Sequence, residues 1–235
     1  MIYVIGDSHV SVFSGVDRYN NDRHIQPEFG YCYTIEKGQL RSKINPFFQK
    51  LDPFCAIKVG SWTAYQSFSK LDSIAQAIKE YRVSDNDWVF LCFGEIDIRH
   101  HIGRNSEMAG ISFESGIELC LKRYEQTIVN LKQKIKNMGV FGAIPSTPWV
   151  GTSTHPSYGD VDFRNRMTLL FNSKLRSICE NNGVDFREIN TKMLDKELCY
   201  KQSDYFMDGH HLSQQCAPII LREFSEIIQV MEVAK

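Results

Sequence analysis

Short apolar runs recur along the chain: IYVI at 2–5, FCAIKV at 54–59, WVFLCF at 88–93, GVFGAI at 139–144 and VDFREI at 184–189. Their hydrophobicity is continuous rather than alternating, the pattern of strands covered on both faces. Between them the period becomes helical. Phe68, Leu71, Ile74, Ala75 and Ile78 share one face, and Ile117, Leu121, Tyr124, Ile128, Leu131 and Ile135 share another. Met167, Leu170, Phe171, Leu175 and Ile178 form a third stripe, and Ala217, Ile220, Leu221, Phe224, Ile227 and Met231 a fourth. Gly139 and Gly183 follow two of these helices, where a left-handed cap is favoured. Strands alternating with helices predict right-handed crossovers and a parallel sheet between helical layers. The expected fold is α/β: a three-layer α/β/α sandwich with a mostly parallel five-stranded sheet, in one domain spanning 1–235. Ligands in such folds bind at the carboxyl ends of the strands.

Two stretches break the alternation. Residues 14–53 are polar and read as an irregular insert with room for a hairpin in TIEKGQLRSKINP. Residues 145–162, PSTPWVGTSTHPSYGDVD, form a long loop after the fourth strand. Loops of this length in a compact domain are often lids or binding loops.

Bulk properties narrow the function classes. A formal net charge of −1 argues against a nucleic-acid binder. No apolar stretch approaches the roughly 20 residues that span a bilayer. Ile2 to Ile5 is too short for a signal-peptide core, so a cytoplasmic protein is expected. Seven cysteines, scattered and without a C-x-x-C pair, read as reduced core thiols rather than a disulfide framework or zinc site.

The strand ends carry the candidate chemistry. Gly6-Asp7-Ser8-His9 follows the first strand, Gly60 the second and FGEIDIRHH the third, while YFMDGHHLS precedes the last helix. A serine hydroxyl becomes a nucleophile when a neighbouring base takes its proton, and histidine is the usual base near neutrality. A carboxylate then fixes the imidazole tautomer. Asp208 and His211, three apart before a helix, suit those two roles, with His210 as the alternative base. The Ser8 N–H and that of Gly60, which has no side chain to block approach, are candidate oxyanion donors.

Ser8 in GDSH, Gly60, the GEID block and Asp208-x-x-His211-Leu212 occur in an order that resembles the GDSL/SGNH hydrolase superfamily, whose members include esterases, lipases, carbohydrate deacetylases and acyltransferases. The resemblance implies a flavodoxin-like SGNH fold and a catalytic set of Ser8, Asp208 and His211. The GEIDIR form also looks like bacterial proteins tied to surface polysaccharides. The third block departs from the family's G-x-N-D: Ile96 stands where the asparagine amide would donate to the oxyanion. Arg99 is a candidate replacement, or else Glu95 and Asp97 hold it in a buried ion pair.

Other residues carry two readings each. Arg164 and Arg166 either clamp an anionic substrate or are paired at a helix start. Trp149 and Tyr158 either stack on a sugar or pack the loop. His100 and His101 suggest a metal only weakly, since no further ligands stand at sensible spacing, and none is expected. The expected function is a serine esterase or deacylase acting on an acyl ester, with carbohydrate or polysaccharide as the alcohol and no cofactor. Glycan acyl transfer with the same triad, and carbohydrate binding without catalysis, are the rival readings.

Overall fold

A computed structural model describes residues 1–14, 33–36, 39–42, 53–153, 156–202, 205–206 and 209–233. The five predicted strands form a parallel core: β1 (Ile2–Gly6), β4 (Phe54–Lys58), β5 (Trp88–Cys92), β6 (Asn137–Phe141) and β7 (Asp185–Arg187). The insert adds the hairpin that its sequence allowed. Its strands β2 (Tyr33–Glu36) and β3 (Gln39–Ser42) pair antiparallel, and β2 joins β4 in parallel. Among the described residues the sheet therefore has seven strands, in the order β3-β2-β4-β1-β5-β6-β7.

Alternate strand residues feed two cores. Ile5, Ile57, Leu91 and Val140 pack with Ile74, Ile117, Tyr124, Ile128, Phe171 and Leu175. These come from α2 (Leu71–Glu80), α4 (Phe113–Lys132) and α5 (Val161–Asn181). Ile2, Val4, Phe54, Phe90 and Phe141 face the other way, onto Phe13, Ile220 and Phe224. That layer holds the 3₁₀ turn Ser8–Ser14, α7 (Ala217–Glu223) and α8 (Ser225–Val233). The fourth apolar stripe is thus two helices. The chain breaks at Phe224, whose ring meets Phe54 and Phe90 edge-on at 5.1 and 4.9 Å.

Two glycines behave differently from each other. Gly183 caps α5 with φ +61°, as predicted. Gly139 lies inside β6 instead, where a Cβ would sit 2.2 Å from the Phe90 ring, so packing rather than capping requires it.

Strand order places the crevice. From β1 the chain crosses to β4 on one side, then returns to β5 on the other. Connections leaving in opposite directions open a gap at the carboxyl end of β1. Ser8 stands there.

Candidate active site

Ser8 follows a tightly packed turn. A Cβ on Gly6 would overlap the Cys92 carbonyl oxygen at 2.0 Å, so only glycine lets β1 run this close to β5 at its end. Asp7 Oδ1 then accepts the His9 N–H at 2.8 Å, closing the turn beneath Ser8. Both neighbours are buried while Ser8 is half-buried, which leaves its hydroxyl facing the crevice edge.

His211 arrives from the far end of the chain. The Ser213 N–H donates to the Tyr205 carbonyl at 2.8 Å, and Phe206 bridges Leu212. That local pairing carries His211, 1% exposed, to a Nε2–Ser8 Oγ distance of 2.8 Å. With the Ser8 hydroxyl donating, Nε2 is the unprotonated nitrogen and the ring's proton sits on Nδ1. Asp208 lies outside the described residues. His210 stacks on Trp149 with centroids 4.5 Å apart and planes 19° apart, and the serine contact belongs to its neighbour His211.

Gly60 and Gly94 each lie two residues beyond a strand that flanks β1. Their φ values are +124° and +120°, a conformation that side chains disfavour. A Cβ would meet the Trp62 ring at 3.0 Å from Gly60, and the Phe171 ring at 2.8 Å from Gly94. Gly60 thus occupies the turn beside Ser8 in the backbone geometry that a close-approaching glycine needs.

The GEIDIR block builds a charged array. Glu95 takes Arg99 Nε at 2.5 Å on one oxygen and Nη2 at 3.1 Å on the other, and it accepts His9 Nε2 at 2.8 Å. Burial opposes a charge on Glu95, but His9 and Arg99 outweigh it and hold its pKa well below the usual carboxylate range. Burial likewise opposes a charge on His9, and the Glu95 and Asp7 carboxylates overcome it, raising its pKa. Asp7 has the reverse balance: burial dominates and pushes it up to about 6. Arg99 Nη1 meets His100 Nε2 at 2.6 Å, and His100 Nδ1 meets the Pro156 carbonyl at 2.7 Å. A carbonyl only accepts, so the His100 proton sits on Nδ1. Burial and Arg99 push its pKa down to about 4 and keep it neutral.

These contacts place three candidate residues. Arg99 has its Nε and Nη2 on Glu95 and its Nη1 on His100, so it forms the buried ion pair with Glu95. Asp97 is not part of that pair. Its carboxylate accepts the Ala64 and Tyr65 N–H groups at 2.6 and 3.2 Å, tying the third strand's turn to the start of α1 (Ala64–Ser67). Arg164 is 2% exposed and donates to the Gly159, Thr147 and Trp149 carbonyls, so it holds the long loop rather than a substrate.

The loop is seated on the site's own residues. Thr147 donates its hydroxyl to the Gly209 carbonyl, and Trp149 packs against Gly209 so closely that a Cβ there would lie 2.6 Å from the ring. The Arg99 guanidinium lies 5.0 Å from the Trp149 ring centre. Tyr158 packs on Gly103 and Phe113, and its N–H donates to the Arg99 carbonyl at 2.8 Å. Trp149 and Tyr158 thus pack the loop in this structure. Among the described residues no three His, Cys, Asp or Glu side chains gather to hold a metal, and no helix is long and apolar enough to cross a membrane.

His9 is the site residue that sequence reasoning passed over. Its one visible signal was its place directly after the candidate nucleophile; its partner Glu95 lies 86 positions away.

No protein-family model and no curated protein sequence matches the chain. Solved structures do. An acylhydrolase-assigned structure from Bacteroides fragilis aligns over 99% of this chain and 86% of its own, with TM-score 0.55 at 13% identity. A GDSL-like lipase from Bacteroides thetaiotaomicron aligns over 100% and 88%, with TM-score 0.53 at 13% identity. The chain has the GDSL/SGNH hydrolase fold. A Streptococcus pneumonia structure named for platelet activating factor shares this SGNH fold over 96% of this chain and 82% of its own, with TM-score 0.54 at 16% identity.

Proposed function

We propose that the chain is a serine esterase or deacylase, with Ser8 as nucleophile, His211 as base and Asp208 as the carboxylate that orients His211. The observation that carries this is the 2.8 Å contact between Ser8 Oγ and His211 Nε2 at the crevice of an SGNH fold. As Ser8 Oγ attacks an ester carbonyl, its proton passes to His211 Nε2. The Ser8 and Gly60 N–H groups receive the oxyanion. Collapse breaks the bond to the alcohol oxygen, which leaves with the proton from His211. Water, deprotonated by His211, then attacks the acyl-serine; the Ser8 Oγ–acyl bond breaks, Ser8 takes the proton back from His211 and the acid is released. The mechanism requires no cofactor.

The alcohol is read as a carbohydrate or polysaccharide, from the resemblance of the GEIDIR block and the polar loops at this edge. Transfer of the acyl group to a glycan hydroxyl uses the same residues, with a sugar in place of water. One observation favours the non-catalytic alternative: Ile96 offers no side-chain amide for the oxyanion, and Arg99 is held in the ion pair with Glu95.

A nitrophenyl acetate assay on wild type and Ser8→Ala separates these readings. Hydrolysis by the wild type and its loss in the variant are expected. Equal rates would sink the serine mechanism, and glycan binding without turnover would favour the binder. Acetyl transfer measured with and without a glycan acceptor distinguishes esterase from transferase.

A further inference from the structure

The proton path from Ser8 to His211 leaves a set of buried charges beside it unused. Asp7, His9, Glu95 and Arg99 are 1%, 3%, 3% and 7% exposed. Burying ionic groups costs several kcal/mol each before pairing, and apolar side chains of similar size fill such space at least as well. A merely structural turn needs no such array. Its geometry shows what it touches.

Two chains of contact run from Glu95 to the turn that carries His211. The first is short. Glu95 Oε2 holds His9 Nε2 at 2.8 Å, and the His9 ring lies against the His211 ring with centroids 4.9 Å apart. The second is longer. Glu95 grips Arg99 through Nε and Nη2, which fixes the guanidinium plane; Arg99 lies over Trp149, and Trp149 stacks on His210. His210 and His211 are themselves in ring contact at 4.0 Å. Both routes end on the base, and both begin on one carboxylate.

We propose that Glu95 is the positioning residue of this site, holding His211 against Ser8 through His9 on one side and through Arg99 and Trp149 on the other. This rests on the serine-esterase reading and deepens it. A carboxylate suits the task because it accepts from the His9 imidazole N–H and the Arg99 guanidinium at once, whereas an amide of the same shape presents one acceptor and one donor. Glu95→Gln keeps the volume but sets an NH2 against a donor, either Arg99 Nε or His9 Nε2 with Arg99 Nη2, so both grips loosen and His9 and Arg99 are each free to shift. Misplacing a base by about 1 Å can cost about 10²-fold in rate. Glu95 touches no reacting atom, so the loss falls on the chemical step rather than on substrate affinity.

The test follows kcat and KM for nitrophenyl acetate together with the rate at which a fluorophosphonate labels Ser8, with circular dichroism melting to establish that each variant is folded at the assay temperature. Glu95→Gln is expected to lower kcat and the labelling rate about 10²-fold, with KM changed less than about threefold. His9→Phe and Arg99→Met each cut one route and are expected to lose about tenfold in labelling. In a His9→Phe/Arg99→Met background, adding Glu95→Gln is expected to cause no further loss, because both routes are already gone. Labelling of Glu95→Gln within about twofold of wild type would overturn the proposal, as would a rise in KM with kcat unchanged. A full additional loss in the double-variant background would also overturn it, and so would wild-type labelling in both single variants if Glu95→Gln does not fold. Ser8→Ala separates the two levels. If the wild type is not labelled at Ser8, the esterase reading and this proposal fall together; if Ser8 labels normally in Glu95→Gln, only this proposal falls.

Discussion

Ser8 Oγ and His211 Nε2 lie 2.8 Å apart although 203 positions separate them in the chain. The contact joins the turn after the central strand to the turn before the last helices, so the site exists only when the whole sandwich has closed. Local helix or strand formation alone cannot assemble it.

Replacing His211 by Gln keeps a hydrogen-bonding side chain but removes the proton acceptor. Ester hydrolysis is expected to fall by about 10³-fold or more, with the melting temperature little changed. Steady-state kinetics beside a thermal melt checks this.

Gly60→Ala forces a Cβ onto a backbone at φ +124° and toward the Trp62 ring at 3.0 Å. The strain is expected to cost about 1–3 kcal/mol of stability. If the Gly60 N–H binds the oxyanion, kcat falls as well in molecules that remain folded. Denaturant unfolding and kinetics on the same sample read the two effects apart.

Asp7 gives a pH prediction whose sign follows from burial. Its pKa is pushed up to about 6, so the folded protein favours the protonated form. Its contribution to stability is present below about pH 4 and is lost as pH rises through about 6. Asp7→Asn keeps an oxygen for the His9 N–H and removes the buried charge. The variant is expected to match wild type near pH 4 and to gain about 1–3 kcal/mol at pH 8. Guanidinium midpoints at the two pH values decide it.

Arg164→Lys retains the charge but not the fork that reaches the Gly159, Thr147 and Trp149 carbonyls. A loss of about 2–3 kcal/mol is expected. Cleavage by a protease within 145–160 should quicken, while a distant surface substitution such as Lys79→Ala leaves it unchanged.

The inner parallel strands β1, β4, β5 and β6 were legible because each is covered on both faces, which writes an unbroken apolar run into the sequence; β7, half-buried along its length at the sheet's border, alternates in VDFREI. Their ends were less so. The run GVFGAI continues to Ile144, but β6 stops at Phe141 because Asn172 takes both the N–H and the carbonyl of Ala143, at 2.8 and 2.9 Å. An asparagine on a helix 29 positions away leaves no mark in the run itself. The break at Phe224 was hidden for a similar reason: an apolar stripe has the same period whether one helix or two carry it.

Site residues separated along the same line. Ser8, Gly60 and His211 stand at strand ends or beside a helix start, places that a periodic pattern locates. Asp97, Arg99 and Arg164 also stand there, yet their partners decide what they do, and the partners are scattered. Glu95 and Arg99 were within reach of sequence reasoning, since residues four apart on a helical turn face each other. The link from Glu95 to His9 was not, because nothing in either neighbourhood points to the other.

The insert's hairpin has a further consequence for the solubility of the chain. Without it, β4 with its FCAIK sequence would be the border of the sheet, offering a row of open backbone groups on an apolar strand. Such borders recruit strands from other molecules. With β2 and β3 in place, the border passes to the short four-residue strand Gln39–Ser42. A version of the chain cut to remove the hairpin would keep Ser8 and His211 and would be expected to self-associate through the newly bared edge.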